Sequence, residues 1–248
     1  MQKTIDENKN SVSLAKRFIN AYNLIDQELR VQHNFRRSMG YSDMIRKAVL
    51  ANFIVRKYED KLIDYGRLRN AIIHKSNDDY VIAEPHEDVV EEFEKIAELI
   101  TAPPKVWNTV CTTDVVTVEF NVSLASVVEI IYKSSFSNLP VYKAGGLIGV
   151  ANGQKILNLI GEQILLGNDI DKFLKETTIE DVIEKFNETK YFEVVSMDIT
   201  IEKALDMFYK NRKLLIIILT KTGSMKEMPV GILTPTDTME MNAVLDNY

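Results

Sequence analysis

Two short stretches of this 248-residue chain hold side chains whose types and spacing could do chemistry. The first is Thr234-Pro235-Thr236-Asp237. A threonine before a proline, with an acid three residues on, is also how a helix begins: Thr as N-cap, Pro where no N–H is needed, Asp in the first turn. The second is Arg69-Asn70-Ala71-Ile72-Ile73-His74. Histidine titrates near neutral pH and can move a proton, while arginine stays charged and can pair bidentately with phosphate. On a helix Asn70 and His74 share a face at i, i+4. Arg69 lies well round from His74, so joint action needs a frayed helix end or a second chain. The plainer roles are a helix-terminal imidazole held by the dipole for His74 and an interface ion-pair residue for Arg69.

Other chemistries find no residues to carry them. His33, His74 and His86 are dispersed and Cys111 is the one cysteine, so no zinc-ligand spacing exists, and there is no G-x-x-x-x-G-K-[ST] or G-x-G-x-x-G phosphate cradle. No metal and no obligatory cofactor is expected. With one cysteine and no basic start leading into an apolar run near Met1, the expected compartment is the cytoplasm. The longest apolar runs, around residues 156–166 and 214–219, fall short of the roughly 18 residues a membrane span requires, so no membrane partner is expected. The net charge of −6 hides an uneven distribution. Residues 30–75 hold 11 Lys/Arg against 4 Asp/Glu, whereas residues 78–98 hold 9 acids against Lys95 alone. Either adjacent helices present complementary faces, or the basic stretch is a nucleic-acid surface.

The elements that position these residues follow from periodicity. Leu14, Phe18, Tyr22, Ile25 and Leu29 recur every three or four residues and predict a helix over 11–34. Ser42 is the predicted N-cap of a second helical stretch, which Tyr58, Leu62, Tyr65, Leu68 and Ile72 continue towards His74. Residues 75–79 break it. Pro85 suits the first turn of a last helix with the stripe Val89, Phe93, Ile96 and Ile100, and Pro103-Pro104 closes the domain. Beyond the prolines an internal repeat appears: residues 122–133 align without gaps on 199–210, at an offset of 77. In each copy a short β run precedes this helix (115–118, 192–195) and two more follow (139–142 and 147–150; 214–220 and 230–233), before a closing helix. The offset grows to 82 at Gly149 and Gly231, which predicts a longer loop through Thr222-Gly223-Ser224 in the second hairpin.

A doubled strand-helix-strand-strand-helix unit, with Leu139-Pro140-Val141 after the first helix and the run from Gly231 to Asp237 before the last, resembles a pair of cystathionine-β-synthase-type (CBS) domains over roughly residues 105–247. The resemblance implies binding of an adenine nucleotide (AMP, ADP or ATP) or another adenosyl ligand such as S-adenosylmethionine. Thr234, Thr236, Asp237 and Val195 are the implied nucleotide-binding residues. The hydroxyl and free N–H groups of a helix start would face an anion, and the carboxylate would take two ribose hydroxyls. In the first copy Asn152 and Lys155 stand where the second has Thr234 and Asp237, which keeps a capping side chain and replaces the carboxylate with a cation. One occupied site per chain is expected.

The hexapeptide from Arg69 to His74 resembles the Arg-Asn-x-x-x-His motif of HEPN domains, helical bundles of nucleic-acid-processing systems, with the likeness running from about Phe18 to Ile100. It implies, for an active member, metal-independent RNA cleavage with His74 acting on the 2′-hydroxyl, Arg69 on the phosphate and Asn70 orienting them. Against it, Lys75-Ser76 follow His74 where active relatives often carry a tyrosine two residues on.

Together these readings predict an α+β chain: an N-terminal HEPN-like helical bundle over residues 1–102, a first CBS repeat with connecting helices over 103–190 and a second repeat over 191–248. The expected function is a regulator that binds an adenosyl ligand in the repeat pair and signals to the helical domain, as a homodimer, with RNA as a candidate partner of that domain. The alternatives are a nucleotide-controlled endoribonuclease and a non-enzymatic assembly module.

Overall fold

The computed structural model describes residues 13–73, 84–186 and 191–247. The chain divides into two compact units, one formed by Met1–Pro104 with Thr200–Asp206 and Val244–Tyr248, the other by Lys105–Ile199 with Met207–Ala243.

In the helical unit α1 (Leu14–His33) starts where the Ser13 hydroxyl accepts the Lys16 N–H at 3.3 Å, and ends at Asn34, which takes a left-handed φ of 52°. Its buried stripe is Ala15, Phe18, Ala21, Ile25 and Leu29. There follow α2 (Tyr41–Ala48), α3 (Phe53–Lys57), α4 (Glu59–Ile73) and α5 (Glu87–Thr101). The Phe93 ring of α5 sits 4.7 Å from Phe18 and 4.8 Å from Tyr65, which makes an aromatic centre for three helices. Arg17 grips Glu94 through two bonds of 2.9 and 2.7 Å, and Lys61 pairs with Glu92. At these pairs the acidic helix does face complementary charge, at a value of about 1 kcal/mol or less each.

Two predicted helix starts move. Gly40, not Ser42, is the N-cap of α2: its extended backbone (φ −63°, ψ 149°) turns its carbonyl to accept the Met44 N–H at 2.9 Å. Pro85 lies ahead of α5, whose N-cap is His86, again extended and accepting from the Val90 N–H. On α5 it is Val90 rather than Val89 that joins Phe93, Ile96 and Ile100 in the core.

Beyond Pro104 the chain states one motif twice. β1 (Val118–Glu119), α6 (Leu124–Ser134), β2 (Asn138–Lys143), β3 (Gly146–Asn152) and α7 (Gly153–Leu165) form the first copy, linked by α8 (Ile170–Glu176) and α9 (Ile179–Phe186) to the second. That copy is β4 (Phe192–Ser196), α10 (Ile201–Lys210), β5 (Ile216–Thr220), β6 (Gly231–Leu233) and α11 (Thr238–Asn247). In each three-stranded sheet the first strand runs parallel to the second and the second antiparallel to the third. Both middle strands are apolar on successive residues, as sheets covered on two faces require: Leu139 to Tyr142 and Ile216 to Thr220 are all buried. Leu139, Val141 and Ala151 pack under α6, α7 and α9, while Tyr142, Leu147 and Val150 meet Ile216, Ile218 and Ile232 in a core shared by the two sheets. At Gly149 a Cβ would come within 2.6 Å of Ile183, so α9 rests directly on β3 there.

The first strand is shorter than the predicted 115–118. Upstream of it Thr112 is drawn to the other sheet, where its backbone exchanges two hydrogen bonds with Ile232, at 3.1 and 2.9 Å. The five-residue difference between copies falls where expected. The first hairpin turns through Ala144 and Gly145, both at positive φ, whereas the second takes the longer loop from Lys221 to Val230. That loop is fastened rather than idle: Met225 accepts the Leu147 N–H at 2.7 Å and the Tyr142 hydroxyl donates to the Glu227 carbonyl at 3.0 Å.

Candidate functional site

β6 ends at Leu233, and the chain stays extended at Thr234 (φ −126°, ψ 166°) before Pro235 opens a single 3-10 turn, Pro235–Asp237, that leads into α11. Proline fits here because its ring supplies the turn's φ and its missing N–H is not needed. The Asp237 carboxylate folds back so that one oxygen, Oδ2, accepts both the Thr234 N–H at 2.6 Å and the Thr234 hydroxyl at 3.1 Å. The Thr234 and Thr236 hydroxyls are 2.6 Å apart, and Thr238 donates to the Pro235 carbonyl. The other carboxylate oxygen, Oδ1, carries no bond among the described residues.

These residues line a cleft of about 230 Å³. Ile232, Thr234, Thr236 and Asp237 form one wall, and Thr112 with Ser135 to Asn138 of the first copy form the other. The Thr112–Ile232 backbone pair holds the walls at a fixed spacing. Ser135 ends α6 in a left-handed conformation (φ 60°), which swings Phe136 and Ser137 round to the cleft. Hydroxyls, a carboxylate and one aromatic ring suit a ligand with adjacent hydroxyls and a flat apolar portion.

The structure therefore brings Thr234, Thr236 and Asp237 together. Val195 does not line this cleft; it sits in β4 opposite Leu219, with its carbonyl carbon against the Gly223 turn. The opposite wall was missed in the sequence. Its signal was the polar run Ser134-Ser135, Ser137-Asn138 after the first repeat's helix, which reads as a loop until the fold shows what it faces. Beside the site Cys111 is half-buried, and burial raises its thiol pKa, with Asp237 adding to the effect.

In the first copy Asn152 caps α7 as expected, accepting the Lys155 N–H at 3.0 Å. The Lys155 ammonium lies 3.5 Å from the centre of the Tyr191 ring, and burial lowers its pKa.

At the end of α4 the Arg69 guanidinium stacks 4.9 Å from the centre of the Tyr22 ring and donates to Asn70 Oδ1 at 3.2 Å. Tyr22 in turn stacks on Tyr41 at 4.3 Å. Arg69 and Asn70 thus stand together, and His74 lies outside the described residues. Among the described residues no cluster of three His, Cys, Asp or Glu side chains is placed to hold a metal ion, and no helix is long and apolar enough to cross a membrane.

Comparison with known proteins bears on the second unit. The family model of the CBS domain matches residues 107–162 of this chain. No curated protein matches the chain. Among solved structures it is similar to the CBS domain of a bacterial CNNM/CorC family Mg2+ transporter in complex with ATP, at 21% identity and a TM-score of 0.43, over 64% of this chain and 98% of that one. It is similar also to a CBS domain-containing protein from Bacillus anthracis, at 20% identity and a TM-score of 0.44, over 56% and 93%. A third similarity is to a CBS domain pair in complex with 5′-methylthioadenosine and S-adenosyl-L-methionine, at 14% identity and a TM-score of 0.40, over 57% and 98%.

Proposed function

We propose that this chain is a regulatory protein that binds an adenine nucleotide or another adenosyl ligand in the cleft at Thr234–Asp237 and passes its occupancy to a helical output unit of HEPN type. The observation that carries the reading is the Asp237 carboxylate. It is oriented by the Thr234 N–H and hydroxyl in one wall of the cleft, with Oδ1 unengaged among the described residues. A ribose offers two hydroxyls at the spacing of one carboxylate, and the threonine hydroxyls beside it can serve a neighbouring oxygen. The CBS match to residues 107–162 supports the same assignment from sequence.

A route for the signal exists in the covalent chain. The helix that follows Asp237 directly, α11, ends in residues 244–247, which group with the helical unit, where Asp246 pairs with Lys57 at 2.5 Å and its carbonyl accepts from Lys95 at 2.6 Å. A shift of Asp237 on binding acts on the first turn of that helix.

The test is thermal unfolding with AMP, ADP, ATP and S-adenosylmethionine, each at millimolar concentration. A ligand bound only by the folded state adds RT ln(1 + [L]/Kd), about 2.7 kcal/mol at a hundredfold excess over Kd. At least one of the four should raise the melting temperature, and Asp237→Ala should remove the shift. No shift with any of them would overturn the reading.

A further inference from the structure

The two copies of the motif place different side chains at equivalent positions. The offset of 77 maps Asp114 on Tyr191, and the offset of 82 maps Val150, Asn152 and Lys155 on Ile232, Thr234 and Asp237. In the cleft described above, the Ile232 backbone is taken by Thr112 and Asp237 lines one wall, while Asp114 is exposed outside the lining. The counterpart is filled from within. Tyr191 is 4% exposed, its hydroxyl donates to the Val150 carbonyl at 2.7 Å, and its own carbonyl accepts the Leu215 N–H at 2.8 Å. The Lys155 ammonium lies on its ring face, while Asn152 is committed to the Lys155 N–H and to Asn138 at 2.8 Å. A cation on an aromatic face with part of its hydration removed is attracted to the ring, which holds both side chains in place.

We propose that Lys155 and Tyr191 close the first copy's equivalent of the Asp237 cleft, so that the chain binds one ligand and not two. This rests on the ligand reading above. A carboxylate at 237 lines an open cleft, whereas an ammonium at the matching position, laid on a buried ring, occupies the other. A ribose entering there would meet a cation where it needs an acceptor, and would have to expel the ring.

Equilibrium dialysis of the full chain against radiolabelled AMP, ATP and S-adenosylmethionine tests this, using wild type, Asp237→Ala, and the double variant Lys155→Asp/Tyr191→Ala. The expected stoichiometries for a probe that binds are one per chain, none, and two. Two per chain in wild type, or one retained in Asp237→Ala, would overturn closure while leaving ligand binding intact. No binding of any probe to wild type would overturn both. A folded double variant that still binds one would also contradict the assignment. If that variant fails to fold by circular dichroism, the wild-type and Asp237→Ala stoichiometries decide the matter.

Discussion

Asp237 has two jobs, and they can be separated. Its carboxylate secures the start of the turn through the Thr234 N–H, and in the proposed function it also receives the ligand. Asp237→Ala should therefore cost about 1 kcal/mol of stability even without ligand, as loss of a helix cap does. For a chain of this size that is a fall of roughly 2–4 °C in melting temperature. Asp237→Asn keeps an oxygen that can accept the Thr234 N–H and should lose less, yet it should lose the ligand-induced shift as fully as Asp237→Ala. Equal ligand response in wild type and Asp237→Asn would remove the carboxylate from the site. Arg69 presents the opposite case, since its guanidinium is already engaged by Tyr22 and Asn70. We expect purified protein in EDTA to leave single-stranded RNA intact. Cleavage that disappears in both Arg69→Ala and His74→Ala would establish the ribonuclease alternative instead.

Among the elements, those with strong periodicity were legible in the sequence. The 77-residue offset reappears as helix starts at Leu124 and Ile201, and α1 buries Phe18, Ile25 and Leu29 as their spacing requires. What escaped were decisions made by distant partners. Thr112, upstream of β1, pairs with Ile232 of the other sheet, and Glu202 of α10 is buried with its carboxylate accepting the Phe53 N–H at 3.1 Å at the start of α3. No local pattern encodes a contact across so many residues. Half of the cleft was legible for the same reason: Thr234 to Asp237 is a local motif, whereas the wall from Ser135 to Asn138 is brought to it by the fold. One element is locally inconsistent. The first hairpin turns with Ala144 at φ 49°, where a side chain is disfavoured by about 1–2 kcal/mol and Asn followed by Gly is the favoured pair. Ala144→Asn, which creates that pair with Gly145, should raise stability by about 0.5–1 kcal/mol in urea unfolding. A loss of stability would mean that the strain is relieved elsewhere.

At the scale of the whole molecule, we propose that the chain self-associates. Ile156, Leu159 and Ile164 are apolar residues of α7. The first two are covered within their own repeat, and the exposed apolar residues of α7 and its end are Leu157, Ile164, Leu165 and Leu166. An exposed apolar patch of this kind is the mark of an interaction site. A symmetric homodimer is expected by light scattering at tens of micromolar, and Leu165→Lys should weaken it. A monomer with and without nucleotide would contradict this. The central claim, that an adenosyl compound sits at Asp237, is tested most directly by native mass spectrometry of the full chain with each of the four candidate ligands. We predict an adduct of one ligand mass per chain for at least one of them in wild type, absent from Asp237→Asn. No adduct in wild type, or an adduct that persists in Asp237→Asn, would contradict the claim.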